Sequence, residues 1–507
     1  MNKLFNKLNS IFLNYVFELI SYIKSYDVKV LITTIILYIG GYTIDIRYNS
    51  FNKNNFIEYD VLNNKKILFQ KSEYQFIDLP KNNDELKHFT VPYMKFYPTF
   101  LQKEYLSIDK VMSLFNYNSK ILHPNKMNYM FLSFAGYWVH FFLHTIYKDN
   151  IPYQENGSVF IPKPIYGSTI EQENILRKKC HGKIKMRKDN TPLHLSDLTQ
   201  KEQNVFNMIN PNNDNNLFIC SIPRANVSVG TYIIHTILQR NHNRLCDIIR
   251  KQNPLLDDDI IFNLVKTINL GQILKLVIGP YIHAINNKIN IKSDYLWLNS
   301  KEYHITWEYN LCYQFHLCLP EKIDNYSLQD IAFNSEIIYS KNIGEWIKIF
   351  CDTQCNQHII TNCQPYFLQV EKKAIEVSRN VNILSYCEFR EKLNLSIPKT
   401  FEDITGEKIL SNKLKEVYKD VNNIELYVGM NSEPTLGFFG ETMTKILAII
   451  ALPGLSNQIK KVRSYIYNID KQFLYLIDDY KTLDEFIKEN LTIIEISKLN
   501  NPISFTV

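Results

Sequence analysis

The stretch Gly230-Thr-Tyr-Ile-Ile-His-Thr-Ile-Leu-Gln-Arg-Asn-His-Asn-Arg-Leu-Cys-Asp247 decides the fold class, because its apolar side chains recur with the period of an α-helix. The chain has only 15 glycines and 18 prolines among 507 residues, which argues against a turn-rich all-β fold. The same period predicts helices in the segments 127–147, 227–252, 258–289, 308–319, 329–360, 369–393 and 442–467. We therefore predict a large, mainly α-helical domain with long connections and few short strands.

Two of these connections carry signals for the start of a helix. The acidic run Asp257–Asp259 before Ile260 suits the positive end of a helix dipole. Thr400 and Asp403 have the spacing of an N-terminal cap. Helices are therefore expected to begin at both places.

The charge of the chain is mildly basic, with a net charge of +6 and a pI near 8.5. This balance is compatible with an anionic membrane surface but is far from the signature of a nucleic-acid-binding protein. With 45% hydrophobic residues, the chain can bury one large core or two ordinary ones. We expect no nucleic-acid partner.

The nine cysteines show no disulfide framework, since their number is odd and none precedes Cys180. One cluster, Cys351, Cys355, His358 and Cys363, has residue types that suit zinc. Its separations fit no standard zinc finger, and a helix would place the first three members on one face. Core cysteines on an amphipathic helix are the more ordinary interpretation.

The first 45 residues have a different pattern from the rest. Apolar residues such as Leu4, Leu8 and Ile11 recur at helical spacing, and the later apolar run 30–41 is too short to span a membrane, which takes about 20 residues. We predict amphipathic membrane-association helices in 1–45 and a single main domain in 46–507. The chain would then be a peripheral, monotopic membrane protein of undetermined compartment. A helix packed on the main domain is the alternative.

The segment Glu308-Tyr-Asn-Leu-Cys-Tyr-Gln-Phe-His-Leu317 places Tyr313 one helical turn before His316 in an apolar run. A neutral imidazole is a good iron ligand. Residues three apart on a helix lie on one face, about 5–6 Å apart at Cβ. An oxidised iron centre could therefore take an electron from the phenol. Taken alone, the pattern is a weak signal, because a histidine and a tyrosine on an apolar helix are usually core residues.

The stretch 230–247 resembles the helix of animal-type haem peroxidases that carries Arg-Glu-His-Asn-Arg, with Asn241 in place of the glutamate. Further resemblances follow in the family's order, the segment 308–321 being similar to the proximal segment of prostaglandin-endoperoxide synthases (cyclooxygenases). The others are Ile165–Gly167, Phe401–Glu407, Glu425–Tyr427 and Phe439–Met443. Together they cover roughly residues 125–455. The resemblance implies a cyclooxygenase-like haem peroxidase fold, one haem b per subunit and a possible homodimer.

The matching positions imply roles for individual residues. His316 corresponds to the proximal haem ligand, His140 to the distal histidine and Tyr313 to the tyrosine that becomes a radical in cyclooxygenases. A distal imidazole moves a proton during cleavage of the O–O bond of a hydroperoxide. The expected function is that of a haem-dependent fatty-acid dioxygenase with coupled peroxidase activity. Its Tyr313 radical would take hydrogen from a polyunsaturated fatty acid, to which O2 then adds.

Substrate-binding positions are implied in the same way. Tyr281 matches a tyrosine that hydrogen-bonds the radical tyrosine, and Lys288 could pair with the carboxylate of the fatty acid. Apolar residues at the matching channel positions suit a lipid. These positions are Ile282, Ile285, Phe439 and Leu455.

Three positions depart from the cyclooxygenase pattern. Gly136 replaces a glutamine four residues before His140, which should weaken the handling of peroxide. Arg224 matches the distal arginine of the wider peroxidase family and could substitute for it. Cys387 stands where an asparagine orients the proximal histidine, and a thiol is a poor acceptor for the imidazole N–H.

These departures keep two other functions open. One is a plain haem peroxidase that oxidises small reductants, in which Tyr313 takes no part. The other is a haem-free, membrane-associated binding protein that retains only the fold.

Overall fold

A computed structural model describes the chain in segments. They are 104–117, 120–143, 160–206, 208–222, 225–286, 305–478 and 482–507, with the strand residues 55–60, 65–70, 90–92, 145–148 and 151–155. By their internal contacts, residues 1–59 and 65–75 form one unit, and residues 60–64 and 76–507 form another. The predicted membrane-association helices of 1–45 lie outside the described residues.

The described part of the chain is mainly helical, which confirms the predicted fold class. The α-helices of the first half are α1 Ile108–Met112, α2 Tyr129–Trp138, α3 Lys163–Tyr166, α4 Ile170–Leu176, α5 Gln200–Phe206, α6 Val229–Gln252, α7 Asp258–Leu276 and α8 Ile282–Ile285. A π-helical turn, Val277–Tyr281, joins α7 to α8.

The second half contains shorter helices around one long one. They are α9 Trp307–Cys312, α10 Leu328–Ile331, α11 Ser335–Ile338, α12 Ile343–Asp352, α13 Leu368–Asn380, α14 Tyr386–Lys392, α15 Phe401–Thr405, α16 Lys408–Tyr418, α17 Leu426–Met430, α18 Glu441–Asp470, α19 Tyr475–Asp478, α20 Leu483–Lys488 and α21 Ile493–Ile496. Short 3-10 turns occupy Val139–Phe141, Leu195–Asp197, Phe315–Cys318, Pro365–Phe367, Val421–Asn423 and Lys471–Leu474.

The described strands are few and short. They are β1 Asn55–Asp60, β2 Lys65–Gln70, β3 Thr90–Pro92, β4 Thr145–Lys148, β5 Ile151–Glu155, β6 Lys322–Ile323 and β7 Tyr326–Ser327. Strand β5 pairs antiparallel with both β3 and β4, and β6 pairs antiparallel with β7. Strands β1 and β2 form one sheet, β3, β5 and β4 a second in that order, and β6 and β7 a third.

The two predicted helix starts are confirmed. Asp257 caps α7, its carboxylate accepting a hydrogen bond from the Ile260 amide at 2.7 Å. Thr400 and Asp403 form a reciprocal capping box at the start of α15. Each cap satisfies backbone donors that the first turn of a helix leaves without partners.

Helix α6 forms the centre of the larger unit, packed against α2 and α7, while α7 and α9 pack against α18. Most polar side chains that α6 carries into this core have hydrogen-bond partners, as buried groups usually do, although Oε1 of Gln239 has none among the described residues. The Asn241 amide donates to Asn269 at 2.9 Å and to Gln272 at 2.7 Å. Arg240 forms an ion pair with Glu495 at 2.7 Å, which ties α21 to the core.

One helix among the described residues, Asp258–Ile285, is long and apolar enough to cross a membrane. It runs through α7, the π-turn and α8, and 72% of its most apolar window is buried within the protein. Pro280 lies in the π-turn, where the missing N–H interrupts the regular bonding. This burial is typical of a core helix.

The prediction that one helix carries Cys351, Cys355 and His358 was wrong. Helix α12 includes Cys351 but ends at Asp352, so Cys355, His358 and Cys363 follow in irregular structure. No group of three or more histidine, cysteine or acidic side chains within the described residues could hold a metal ion. The nine cysteines are free thiols in the structure.

Candidate active site

The segment that carries Tyr313 and His316 is not one continuous helix. Helix α9 ends at Cys312, Gln314 is neither helical nor extended (φ −97°, ψ 77°), and the 3-10 turn begins at Phe315. The ring of His358 donates from Nε2 to the carbonyl oxygen of Gln314 at 3.2 Å. That carbonyl is therefore bound by a side chain instead of the amide of a later residue in a helix. Because the helix breaks here, Tyr313 and His316 have different surroundings.

Tyr313 belongs to a cluster of three tyrosines. The Tyr309 hydroxyl donates a hydrogen bond to the Tyr313 hydroxyl at 3.3 Å. The buried Tyr281 hydroxyl has no hydrogen bond of acceptable geometry among the described residues. Burial, and next the Tyr313 side chain, raises the pKa of both Tyr281 and Tyr309, so these phenols keep their protons. Tyr309 therefore makes the better-aligned hydrogen bond to Tyr313, and Tyr281 also interacts with the Tyr313 side chain, as the sequence led us to expect.

An apolar cavity adjoins this cluster and encloses about 30 Å³. That volume is about enough for one water molecule. The structure brings four predicted substrate residues, Tyr281, Ile282, Ile285 and Leu455, to this cavity together with Tyr313. The other lining residues are Trp138, Phe160, Val277, Tyr309, Thr444, Leu447, Ala448, Ala451 and Leu452.

Phe439, the other predicted channel residue, does not line this cavity. Its fully buried ring stacks on Phe315, with centroids 5.7 Å apart, and meets the edge of His358 at 5.1 Å. The preceding Phe438 amide donates to the Ile285 carbonyl at 2.7 Å, and this bond fixes the loop that carries both phenylalanines. The predicted site residues Arg224 and Lys288 lie outside the described residues.

His140 lies in the 3-10 turn that follows α2 and is partly buried. Two residues before it, Trp138 lines the tyrosine cavity, and two residues after it, the Phe142 ring meets Tyr313 edge-on at 5.0 Å. A Cβ added at Gly136, one turn earlier, would have no atom within 4 Å. The glycine therefore leaves open space on the helix that leads to His140.

His316 is held by a carboxylate that the sequence did not predict. Its Nδ1 lies 3.1 Å from Oε1 of the fully buried Glu371, and its ring stacks on Phe367 with centroids 4.9 Å apart. The Cys387 thiol lies in α14 and donates to the Val421 carbonyl at 3.5 Å, in keeping with the expectation that it is a poor acceptor for the imidazole N–H. The partner of the His316 Nδ1 is Glu371 instead.

The residues present fit a haem iron ligated by His316. Its side chain is 27% exposed, and its Nε2 has no hydrogen-bond partner among the described residues. Histidines that bind metals almost always pass their other ring N–H to a carboxylate or carbonyl, as His316 can to Glu371. The open space beside Gly136 adds room on the side of His140.

The described residues thus combine a mainly helical fold with a histidine that is held by a buried carboxylate and has a free ring nitrogen for iron. Residues 162–451 match the family model of the animal haem peroxidases. The chain belongs to this family of oxidoreductases, and membership implies that it binds haem.

Within this family, the chain is similar in sequence to prostaglandin G/H synthases. Prostaglandin G/H synthase 2 of Gallus gallus is 30% identical over 346 residues, which make up 66% of this chain and 57% of the relative. The chain thus matches little more than half the length of that relative. The same synthase of Equus caballus is 28% identical over 346 residues, again 66% of this chain and 57% of the relative.

Solved structures share the fold at low sequence identity. Peroxidase A from Dictyostelium discoideum has a TM-score of 0.62 and 17% identity, covering 82% of this chain and 94% of its own. A variant of the Oryza sativa fatty acid alpha-dioxygenase with palmitic acid has a TM-score of 0.64 and 14% identity, covering 89% and 84%.

Proposed function

We propose that this chain is a haem-dependent fatty-acid dioxygenase with coupled peroxidase activity. The observation that carries the proposal is the turn at Gln314, which lets Tyr313 face an apolar cavity while His316 faces Glu371. One short segment therefore joins a lipid-like environment to an iron-binding environment. The names of the relatives, prostaglandin G/H synthase and fatty acid alpha-dioxygenase, support the same substrate class.

Each proposed role follows from the surroundings of the residue. His316 holds one haem b per subunit through Nε2, and Glu371 accepts its Nδ1–H. His140 accepts a proton from a bound hydroperoxide and returns it to the departing oxygen. The haem, when bound, supplies the oxidising power that removes an electron from Tyr313.

The chemistry at Tyr313 balances as a chain of hydrogen transfers. The Tyr313 phenoxyl radical takes a hydrogen atom from a bis-allylic carbon, which restores the phenol and leaves a carbon radical. O2 adds to that carbon and forms a peroxyl radical. The peroxyl radical takes the hydrogen atom back from Tyr313, releases a hydroperoxide and regenerates the tyrosyl radical.

The cavity must widen before it can accept a fatty acid, because about 30 Å³ holds only one water molecule. Leu452 and Leu455 of α18 form part of its wall, beside Ile282 and Ile285 of α8. The small volume favours the second candidate function, a plain haem peroxidase in which the cavity stays closed and small reductants are oxidised elsewhere.

One pair of measurements separates these functions. Purified protein reconstituted with haem should take up oxygen with arachidonate or linoleate, and Tyr313→Phe should abolish that uptake while guaiacol peroxidation persists. Oxygen uptake that survives in Tyr313→Phe would reject the tyrosyl-radical mechanism. Absence of fatty-acid oxygenation in the wild type, with active guaiacol peroxidation, would select the plain peroxidase.

We also propose that residues 1–45 attach the enzyme peripherally to a membrane surface and that the enzyme forms a homodimer. Arg224 remains a proposed partner of the peroxide, and Lys288 of the fatty-acid carboxylate. Deletion of 1–45 should move the protein from the membrane pellet to the supernatant with its haem retained. Unchanged fractionation would contradict the membrane proposal.

A further inference from the structure

We propose that Glu371 is a positioning residue that fixes the tautomer of His316 and makes it a strongly electron-donating iron ligand. This inference rests on the proposed ligation of haem by His316. It adds a residue 55 positions further along the chain that sets the redox behaviour of the site. Glu371 would act on the iron only through the imidazole.

The contact is built from buried groups. Glu371 is 0% exposed, and its Oε1 lies 3.1 Å from Nδ1 of His316. Its other oxygen, Oε2, accepts a hydrogen bond from the hydroxyl of Tyr427, which is also fully buried. The carboxyl group is therefore oriented from both sides, by a phenol of α17 and by the imidazole.

The imidazole is also held by its ring face. Phe367, at the end of the 3-10 turn before α13, stacks on His316 with an interplanar angle of 19°. Glu371 itself lies in the first turn of α13, where the helix dipole favours negative charge. Ring stacking and the Nδ1 contact together leave Nε2 as the ring atom that points away from the carboxylate.

The tautomer follows from counting protons. A nitrogen that binds iron must present its lone pair, so Nε2 carries no proton and the single N–H of a neutral imidazole lies on Nδ1. Glu371 is the acceptor for that N–H. The bond withdraws the proton towards the carboxylate and raises the electron density of the ring, which makes the ligand more basic.

A more basic axial ligand stabilises ferric iron relative to ferrous iron, since hydrogen bonding to the axial ligand is one of the ways in which a protein tunes haem. The wild-type ferric/ferrous potential should therefore be low. Glu371→Gln keeps the shape of the side chain but replaces the carboxylate with a neutral amide. The ferric/ferrous potential of this variant should therefore rise. A rise of roughly 59 mV would correspond to a tenfold shift of the one-electron equilibrium towards ferrous iron.

Tyr427→Phe tests the direction in which the ferric/ferrous potential shifts. Without the phenol, Oε2 loses a donor and the carboxylate draws more strongly on the Nδ1–H, so the potential should fall. A variant that merely disturbs packing has no reason to move the potential in the direction opposite to Glu371→Gln. Glu376→Gln makes the same chemical change at a 40% exposed position of the same helix and is the matched control.

The measurements are the ferric/ferrous potential and the iron–histidine stretching band of the ferrous haem protein. Support requires a higher potential and a lower band frequency in Glu371→Gln, the opposite shifts in Tyr427→Phe and no change in Glu376→Gln. Unchanged values in the first two variants, or shifts of both in one direction, would overturn the inference. If Glu371→Gln does not bind haem, the sign of the shift in Tyr427→Phe decides.

Failure of the underlying proposal gives a different result. A wild-type chain without a Soret band, or a band that His316→Ala leaves unchanged, would show that His316 does not ligate haem. Haem bound through His316 with a potential insensitive to Glu371 and Tyr427 would refute only the role of Glu371.

Discussion

The hydroxyl of Tyr309 donates a hydrogen bond to the hydroxyl of Tyr313 across 3.3 Å, and both side chains line the same cavity. The two residues are four apart, although Tyr313 itself follows the last residue of α9. The proposed radical residue therefore has a second phenol within hydrogen-bonding distance. A hydrogen bond to a phenoxyl oxygen stabilises the radical and also holds its ring in place.

Tyr309→Phe should slow fatty-acid oxygenation without abolishing it. A typical hydrogen bond contributes about 1 kcal/mol, which corresponds to roughly a fivefold loss of rate. Electron paramagnetic resonance after addition of hydroperoxide should still detect a tyrosyl radical, with an altered spectrum. Tyr232→Phe, at a buried tyrosine that does not line the cavity, is the control. An unchanged rate and spectrum in Tyr309→Phe would contradict a role for this hydrogen bond.

Ala451→Leu should block the oxygenation of fatty acids selectively. Ala451 lines the cavity of about 30 Å³, so a larger side chain there leaves no room for the substrate. Guaiacol peroxidation should persist, because His140 and His316 are not among the residues that line this cavity. The measured quantity is the ratio of oxygen uptake to guaiacol oxidation.

Leu452→Ala makes the opposite change in the same wall and is the matched variant for Ala451→Leu. It should lower the KM for the fatty acid and, because Leu452 is only partly buried, cost less stability than the roughly 2–5 kcal/mol of a fully buried leucine. Equal losses of both activities in Ala451→Leu would argue that the cavity is not the substrate site.

Gly136→Ala should stabilise the protein. Gly136 lies within α2, and a Cβ there would meet no atom within 4 Å, so the methyl group fits without displacement. Alanine is preferred to glycine inside a helix by roughly 0.5–1 kcal/mol. Denaturant unfolding should show a higher midpoint with an unchanged slope.

Gly230→Ala is the contrasting substitution at another helical glycine. An added Cβ at Gly230 would lie 2.5 Å from the Ser133 hydroxyl oxygen and 3.0 Å from its Cβ, where α6 approaches α2 closely. This variant should therefore lower the unfolding midpoint. Similar effects of both substitutions would show that helix propensity, and not local space, decides the outcome.

Acid should destabilise the fold through its buried histidines. Burial lowers the pKa of His235 to about 3 and that of His242 to about 4. The unfolded chain binds protons at these residues near pH 6.5, whereas the folded chain does not. The stability that the neutral histidines contribute is thus complete above about pH 6.5 and is lost as the pH falls towards 4 and 3. Each histidine adds a slope of roughly 1.4 kcal/mol per pH unit within that window.

His242→Gln tests this pH dependence. In the native protein, Nε2 of His242 donates to the Gly182 carbonyl at 2.8 Å, and Nδ1 lies 2.9 Å from the Tyr166 hydroxyl. Both ring nitrogens of the neutral imidazole therefore have hydrogen-bond partners. The variant should unfold more easily at pH 7 but lose less stability between pH 6.5 and 4. His283→Gln, at an exposed position, should leave the slope as in the wild type. An unchanged slope in His242→Gln would contradict the assignment.

Local sequence predicted a substantial part of the architecture. Helix α6 was predicted at 227–252 and is observed at Val229–Gln252, because one apolar stripe and a capping residue, Ser228, suffice to define it. The longer predicted segments 308–319, 329–360 and 369–393 proved to be broken into shorter helices. The apolar periodicity of the sequence continues through such breaks and therefore does not reveal them. At the break in 308–319, the Gln314 carbonyl is bound by His358, which lies in a distant part of the chain.

The sequence by itself determined the types and the order of the groups at the candidate site: Tyr313, His316 and the segment that carries His140. Tertiary structure decided which groups accompany them, because Glu371 reaches His316 from 55 residues away and Phe439 turns from the cavity towards His358. Tyr309 was visible in the same segment, but only the end of α9 at Cys312 brought its hydroxyl to Tyr313. The physical reason is that periodicity and capping act over a few residues, whereas burial of a carboxylate or a phenol requires a partner wherever the fold provides one.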